Sequence, residues 1–273
     1  MILNANNSDA VARSQTSVRV TLLVLFVWLG ILFALWRVSY YTHTTWPGVP
    51  PVPSKNFAPA MGFGDRELAY RMGATGLQNM GDGGGRVTPL LDYDYALLFK
   101  WFQLLHHLNP KAEAVPLLAG YYYSFVKNPE QQKYVVAYLA HVGYSLEGEK
   151  WRWLAQAVFL ARHRLRDLDY ALKLANDLAS LYDQSMGTMP LWTKQMPAFV
   201  MVAMDEKEAA RQLIEAILAT NKTLPKEEIN FMKSFIDEQL DEKFVPDDVL
   251  DRAEDYEKNR GRYLNDPDLK WQF

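Results

Sequence analysis

The sequence predicts an all-α protein: a single N-terminal transmembrane helix followed by an α-solenoid of antiparallel helix pairs. Three observations carry this. The run from Val20 to Trp36 holds no charged residue. Helix-opening signals return at a near-constant interval, and no stretch shows the strict apolar–polar alternation of a strand. The interval is seen most directly in two echoes, Asp94-Tyr95-Ala96-Leu97 and, 75 residues later, Asp169-Tyr170-Ala171-Leu172. A third segment around Tyr134 lies midway and a fourth opens at Glu208-Ala209, giving spacings of 39, 36 and 38 residues. A fixed period of this length is the signature of stacked helical hairpins.

Composition narrows the chemistry. The chain has 273 residues, 49% of them hydrophobic, and no cysteine. A sizeable core is therefore available, while disulfides, thiolate metal sites and a cysteine nucleophile are excluded. The net charge of −3 gives no general attraction to nucleic acid. Charge is unevenly spread: residues 202–273 carry 18 acidic and 11 basic side chains, a net of −7, and residues 1–201 carry 14 and 18, a net of +4. Such polarity suits either a solvated acidic tail or the orientation of a partner.

Residues 1–19 are small and polar and read as a short disordered leader. Residues 20–41 read as the transmembrane helix, with Arg19 and Arg37 snorkelling from its ends and Trp36, Tyr40, Tyr41 and Trp46 forming an interfacial belt. The rivals are a cleaved signal peptide, for which the apolar run is too long, and a buried soluble helix. The expected location is the inner (plasma) membrane, single-pass, with the N-terminus cytoplasmic and the helical part on the periplasmic or outer side. Residues 42–64 contain Pro47, Pro50, Pro51, Pro53 and Pro59, a composition that favours an extended, semi-rigid stalk.

From Asp65 onward the pattern is helical, and residues 65–245 read as the repeat domain. Asp65 caps a helix that reaches the glycine-rich run Gly81–Gly85, which reads as a flexible connection, since the lysine of a phosphate loop is missing. The next helix carries Tyr95, Leu98, Phe102, Leu105 and Leu108 at helical spacing and stops at Asn109-Pro110. A second runs from near Pro116 to Val126. Asn128, Pro129 and Gln131 predict a capped start for a third, which ends near Gly143. Further helices are expected over 148–165, 167–184, 190–203, from the capping box Asp205-x-x-Glu208 to Thr220, and after Pro225. Residues 246–273 form a charged C-terminal helix and tail. Asp247, Asp248 and Asp251 suit a helix start. Leu269, Trp271 and Phe273 alternate and could share one groove, on a partner or on the chain itself.

The hairpins over about residues 92–240 resemble tetratricopeptide-type repeats. Trp151-x-x-Leu154-Ala155-x-x-Val158 follows that family's first-helix pattern, and Trp192-x-x-Gln195-Met196-x-x-Phe199 follows it in part. Gly120 and Tyr123 fall in register. Ala209-x-x-x-Leu213-x-x-Ala216 and, more loosely, Ala171-x-x-x-Ala175-x-x-Leu178 resemble the second helix. The period here is longer than the family's about 34 residues, and the first repeat lacks the small residues. The resemblance implies a superhelix with a concave protein-binding face and scaffolding or assembly roles, and it implies no reaction.

The residues offer little for catalysis, cofactor binding or metal binding. The five histidines are His43, His106, His107, His141 and His163. Adjacent His106 and His107 point about 100° apart on a helix and do not converge. No Gly-x-Ser-x-Gly elbow is present. The expectation is no enzyme, no cofactor and no metal. Partner-binding residues are sought among exposed aromatics and cations. Tyr122 is a candidate because three consecutive tyrosines cannot all face a core, and Trp153 because aromatics concentrate binding energy. Arg162, Arg164 and Arg166 form a basic cluster that suits either a helix C-terminus or an acidic partner. Trp271 and Phe273 are the tail candidates.

Three functions follow in order of preference. The first is a membrane-anchored scaffold holding or assembling subunits of a larger envelope membrane complex, with other proteins as partners, lipid met through residues 20–41, and no nucleic acid. The second is an adaptor or receptor delivering peptides or proteins to a membrane machine. The remote third is an anchored envelope enzyme. The anchor is tested directly by fractionation: the full chain should sediment with membranes, resist alkaline carbonate and be released by detergent, whereas release by carbonate alone would remove the transmembrane helix.

Overall fold

A computed structural model describes residues 5–41, 48–83, 86–220, 224–240, 255 and 257–272. The chain divides into two compact units, Met1–Trp46 and Pro47–Phe273. Among the described residues the regular structure is helical, apart from one two-residue antiparallel pairing of Asp82–Gly83 with Arg86–Val87 in the glycine-rich run.

The described residues of the first unit form one helix, α1 (Ala5–Tyr41). Its 21-residue segment Val18–Val38 has a mean hydropathy of 2.5 and none of it is buried. At 1.5 Å per residue that segment spans about 31 Å, the thickness of a bilayer's hydrocarbon core. It is long and apolar enough to cross a membrane. The helix begins at Ala5 and not at residue 20. The described part of the expected leader is therefore helical, and no proline or glycine interrupts it before Gly30.

The second unit contains α2 (Arg66–Gln78), α3 (Tyr95–Leu108), α4 (Ala114–Tyr121), α5 (Pro129–Gly143), α6 (Trp151–Leu160), α7 (Leu168–Gln184), α8 (Trp192–Ala203), α9 (Lys207–Thr220) and α10 (Lys226–Gln239). Side-chain caps set four of these nine starts. Asp65 accepts from the backbone N–H groups of Glu67 and Leu68. Asp94 accepts from Leu97 at 2.9 Å, Asn128 from Glu130 at 3.0 Å and Asp167 from Tyr170 at 3.0 Å. Each satisfies a donor that the first helical turn leaves unpaired.

Several expectations are corrected. Residues 48–64 do not form a free stalk. Val49 is fully buried, the Trp101 indole N–H donates to the Pro50 carbonyl at 2.8 Å, and a short turn over Ala58–Gly62 packs on α2. Gln131 completes no capping box; its amide donates to the carbonyls of Leu91 at 2.8 Å and Tyr93 at 3.3 Å, tying α5 to the segment before α3. Asp205 is no cap, because its backbone is left-handed at φ 62°. α4 stops at Tyr121, and the chain turns over Tyr123–Phe125 so that Tyr123 enters the core. α6 ends in a wide turn over Ala161–Leu165, with Arg166 left-handed at φ 54°. Asp247, Asp248 and Asp251, expected at a helix start, lie outside the described residues.

Successive helices from α4 to α10 pack on one another, and α3 lies against both α2 and α5. The main core joins α2–α7, with Tyr138, Phe102, Leu104, Leu139 and Leu154 fully buried. A second core joins α8, α9 and α10 through Ala198, Ile214, Ile217, Met232 and Phe235. α5 and α6 approach closely at Gly143, where a methyl group would collide with the Leu154 backbone nitrogen and lie 2.7 Å from its Cα. Backbone cannot yield there as a side chain can. Gly143→Ala is therefore expected to cost about 2–4 kcal/mol of stability. Gly76→Ala in α2, where the added methyl meets nothing within 4 Å, should be neutral or stabilising by about 0.5–1 kcal/mol. Chemical denaturation of the two variants checks the contrast.

Candidate protein-docking groove

The C-terminal segment, described at 255 and over 257–272, crosses the start of α7, then α5, then α3. It meets the three helices in the reverse of their chain order. Its contacts are made by side chains on both sides and, at Gly261, Tyr263 and Lys270, by its own backbone. At the first crossing, Arg166 pairs with Asp255 and Arg260 with Asp169 at 3.1 Å. Asp167, fully buried, accepts from the backbone N–H of Gly261 at 2.9 Å and of Tyr263 at 2.8 Å. Together with its cap to Tyr170, one carboxylate thus collects three N–H donors. A buried carboxylate is tolerated when its lone pairs are occupied in this way.

At α5 the Tyr263 hydroxyl donates to Glu130 at 3.0 Å, and Arg262 pairs with the same carboxylate at 2.7 Å. Lys133 is buried along its stem, and its ammonium meets Asp266 at 2.8 Å. Burial works against the charge on both partners. The ion pair prevails, holding Lys133 above its ordinary value and Asp266 below the usual carboxylate value. At α3, Gln103 Nε2 donates to the Lys270 carbonyl at 3.4 Å. The Trp271 indole then stacks on His141 with ring centres 3.4 Å apart and meets His106 at 5.7 Å and Phe99 at 6.1 Å, both edge-on. Each such ring pair is worth about 0.5–1.5 kcal/mol beyond its buried area.

The structure distributes the sequence-predicted residues as follows. Tyr122 is 45% exposed, its ring against Tyr123. It lines a groove of about 630 Å³ between α2 and α4 with Tyr70, Arg71, Leu117 and Tyr121. Trp153 is only 7% exposed, packed on Tyr121 and Gly120, and its indole donates to Glu113 at 2.6 Å, so its ring belongs to the core. Its near neighbour Trp151 also lies in the core but borders a groove of about 830 Å³ between α6 and α8, with Arg152, Phe159, Met189 and Trp192. Arg162 is half-buried, Arg164 is exposed, and Arg166 faces the tail. Arg164 and Arg166 border a cavity of about 250 Å³ with Lys127, His163, Asp255 and Asn259. Trp271 lies against its own chain as described, and Phe273 falls outside the described residues.

Sequence reasoning missed Lys133, Gln103, Asp167 as an acceptor for the tail, and the meeting of His106 with His141, whose rings lie 5.6 Å apart. These two histidines are 35 residues apart in sequence and only the packing of α3 on α5 joins them. Asp167 carried a signal, since an aspartate at a helix start can accept from more than one donor. No group of three or more His, Asp or Glu placed for a metal exists among the described residues.

Compared with known proteins, the chain matches no family model, no curated protein and no solved structure.

The two imidazoles give the groove a pH dependence. Burial pushes His106 down from 6.5 to about 4, with His141, Lys150 and His107 adding repulsion, and burial also lowers His141. The unfolded chain therefore takes up these protons first. Stability is full above the ordinary imidazole value and is drawn down as pH falls from 6.5 towards 4. Asp266 is depressed, so its contribution persists until pH falls below the ordinary carboxylate value of 3.8. Urea midpoints should thus fall from about pH 7 to about pH 5, and the fall should shrink in a His106→Gln/His141→Gln variant. Equal slopes in both proteins would remove the histidines from the effect.

Proposed function

We propose that this chain is a single-pass, membrane-anchored helical-repeat scaffold that holds subunits of a larger membrane complex. Its helices are taken as antiparallel pairs stacked in the manner of tetratricopeptide-type repeats. Three features support the reading. The first is the apolar, wholly exposed segment Val18–Val38. The second is the run of helices packed in succession from α4 to α10. The third carries most weight: separate outward grooves with aromatic linings lie between α2 and α4 and between α6 and α8. Aromatic, methionine and arginine side chains are the types enriched where proteins meet. Several grooves on one rigid array suit a protein that meets more than one neighbour.

An adaptor or receptor reading would favour an open groove. The groove across α3, α5 and α7 holds the chain's own C-terminal segment, so the scaffold reading ranks first. The location proposed is the plasma membrane, with the helical unit on the outer side.

Affinity purification of the full chain through a C-terminal tag, in mild detergent, tests the function. Membrane-complex subunits should co-purify in fixed ratio, and Tyr122→Ala/Leu117→Ala in the α2–α4 groove should deplete at least one of them. A chain that purifies alone, with native mobility matching its own mass plus detergent, would overturn the scaffold. A reporter fused after Phe273 that is active only in the cytoplasm would overturn the orientation.

A further inference from the structure

We propose that the groove across α3, α5 and α7 is a docking site for a turn-rich peptide segment of a partner protein. The peptide has an acidic residue five positions before a tryptophan, and the chain's own tail occupies its place until it is exchanged. The inference rests on the scaffold reading only in taking the partner to be a protein.

The groove has the construction of a peptide site. Its recognition groups stand on three helices, while the occupant runs through turns over 260–265 and one short 3-10 turn, Pro267–Leu269, between its two anchors. Two anchors are spaced along it. Lys133, buried along its stem, presents an ammonium to Asp266. Five residues later, the indole of Trp271 enters a slot formed by Phe99, His106 and His141. Between them Gln103 faces the main chain of the occupant. Its amide offers a donor and an acceptor side by side, the pair that a peptide backbone matches with one C=O and one N–H.

The tail uses only half of that offer. Gln103 is fully buried; its Nε2 reaches the Lys270 carbonyl at 3.4 Å, and its Oε1 has no hydrogen-bond partner among the described residues. Buried acceptors are almost always satisfied. An occupant that supplied a backbone N–H here would bind better than the resident segment. Three further contacts exchange readily. Arg262 with Glu130, Arg260 with Asp169 and Arg166 with Asp255 are ion pairs with solvent access, which contribute little individually. The hold at Asp167 is firmer, because its buried carboxylate needs the N–H groups of Gly261 and Tyr263 or equivalents from the incoming peptide, and tethering adds a high local concentration.

The partner's chemistry follows from the lining. The Lys133 end requires a carboxylate. The far end requires a planar aromatic that stacks on imidazole. The Gln103 step requires an extended backbone without proline at the position that donates.

The experiment uses the full chain in detergent and a fluorescent peptide of residues 255–273, followed by anisotropy. The wild-type chain, its groove occupied, should bind the peptide weakly. Trp271→Ala, which loosens the tail, should bind it at least about tenfold more tightly. Asp266→Ala, which leaves the aromatic slot untouched, should show a smaller gain in the same direction. A peptide carrying Trp271→Ala should lose binding to all three. Thermal melts establish that each variant is folded. Folded variants that bind the peptide no better than wild type would overturn the proposal, as would a tail whose loss unfolds the protein in both variants. A wild-type dimer that becomes monomeric on Trp271→Ala would assign the groove to a second copy's tail and overturn it too. None of these results depends on co-purifying subunits, so failure here leaves the scaffold test standing.

Discussion

The carboxylate of Asp167 is the constraint on which the C-terminal half depends. It stands where the wide turn after α6 ends and α7 begins, fully buried, with no cation paired to it among the described contacts. Three backbone N–H groups hold its charge: one from the first turn of α7 and two from the tail. Charge-assisted bonds of this kind are roughly twice as strong as neutral ones, and leaving such a group unpaired costs more than the bonds return. The start of α7 and the path of residues 261–263 are therefore one decision made by one side chain. Gly261, left-handed at φ 64°, gives the tail the bend that brings its N–H and that of Tyr263 to the same carboxylate.

Much of the helical pattern was legible in the sequence because it is local. Asp65, Asp94, Asn128 and Asp167 announce helix starts through hydrogen bonds that reach no more than three residues. The apolar run around Val20–Trp36 is equally plain. Failures arose where a distant partner competed. Gln131 has the right spacing for a cap, but two carbonyls about 40 residues away hold its amide. Asp205 has the right chemistry, but the turn after α8 forces it left-handed. The prolines of residues 47–59 predict extended backbone; they say nothing of the Trp101 indole waiting for the Pro50 carbonyl.

The candidate groove was legible only in pieces. The sequence singled out the tail aromatics and left open whether they would meet a partner or the chain. It assigned binding information to the helices bearing Tyr122 and Trp153. The occupied groove instead lies on α3, α5 and α7, two of which open with the repeated Asp-Tyr-Ala-Leu motif. Lys133 and Gln103 look unremarkable in a helical heptad, since a lysine or glutamine is expected on the wet face. Their burial arises only once residues more than 130 positions downstream return to cover them.

The Pro50 carbonyl, held by the Trp101 indole and flanked by buried Val49, has a mechanical meaning. A slack linker absorbs a pull by straightening. Here the backbone next to Pro47 is already fastened to α3, the helix that also carries Phe99, Gln103 and His106. Tension arriving along the chain from its N-terminal side is delivered into the centre of the helical array, at the element that grips the tail. Within the helical unit that load enters at Pro50 and passes to α3, as a bracket is loaded through its wall.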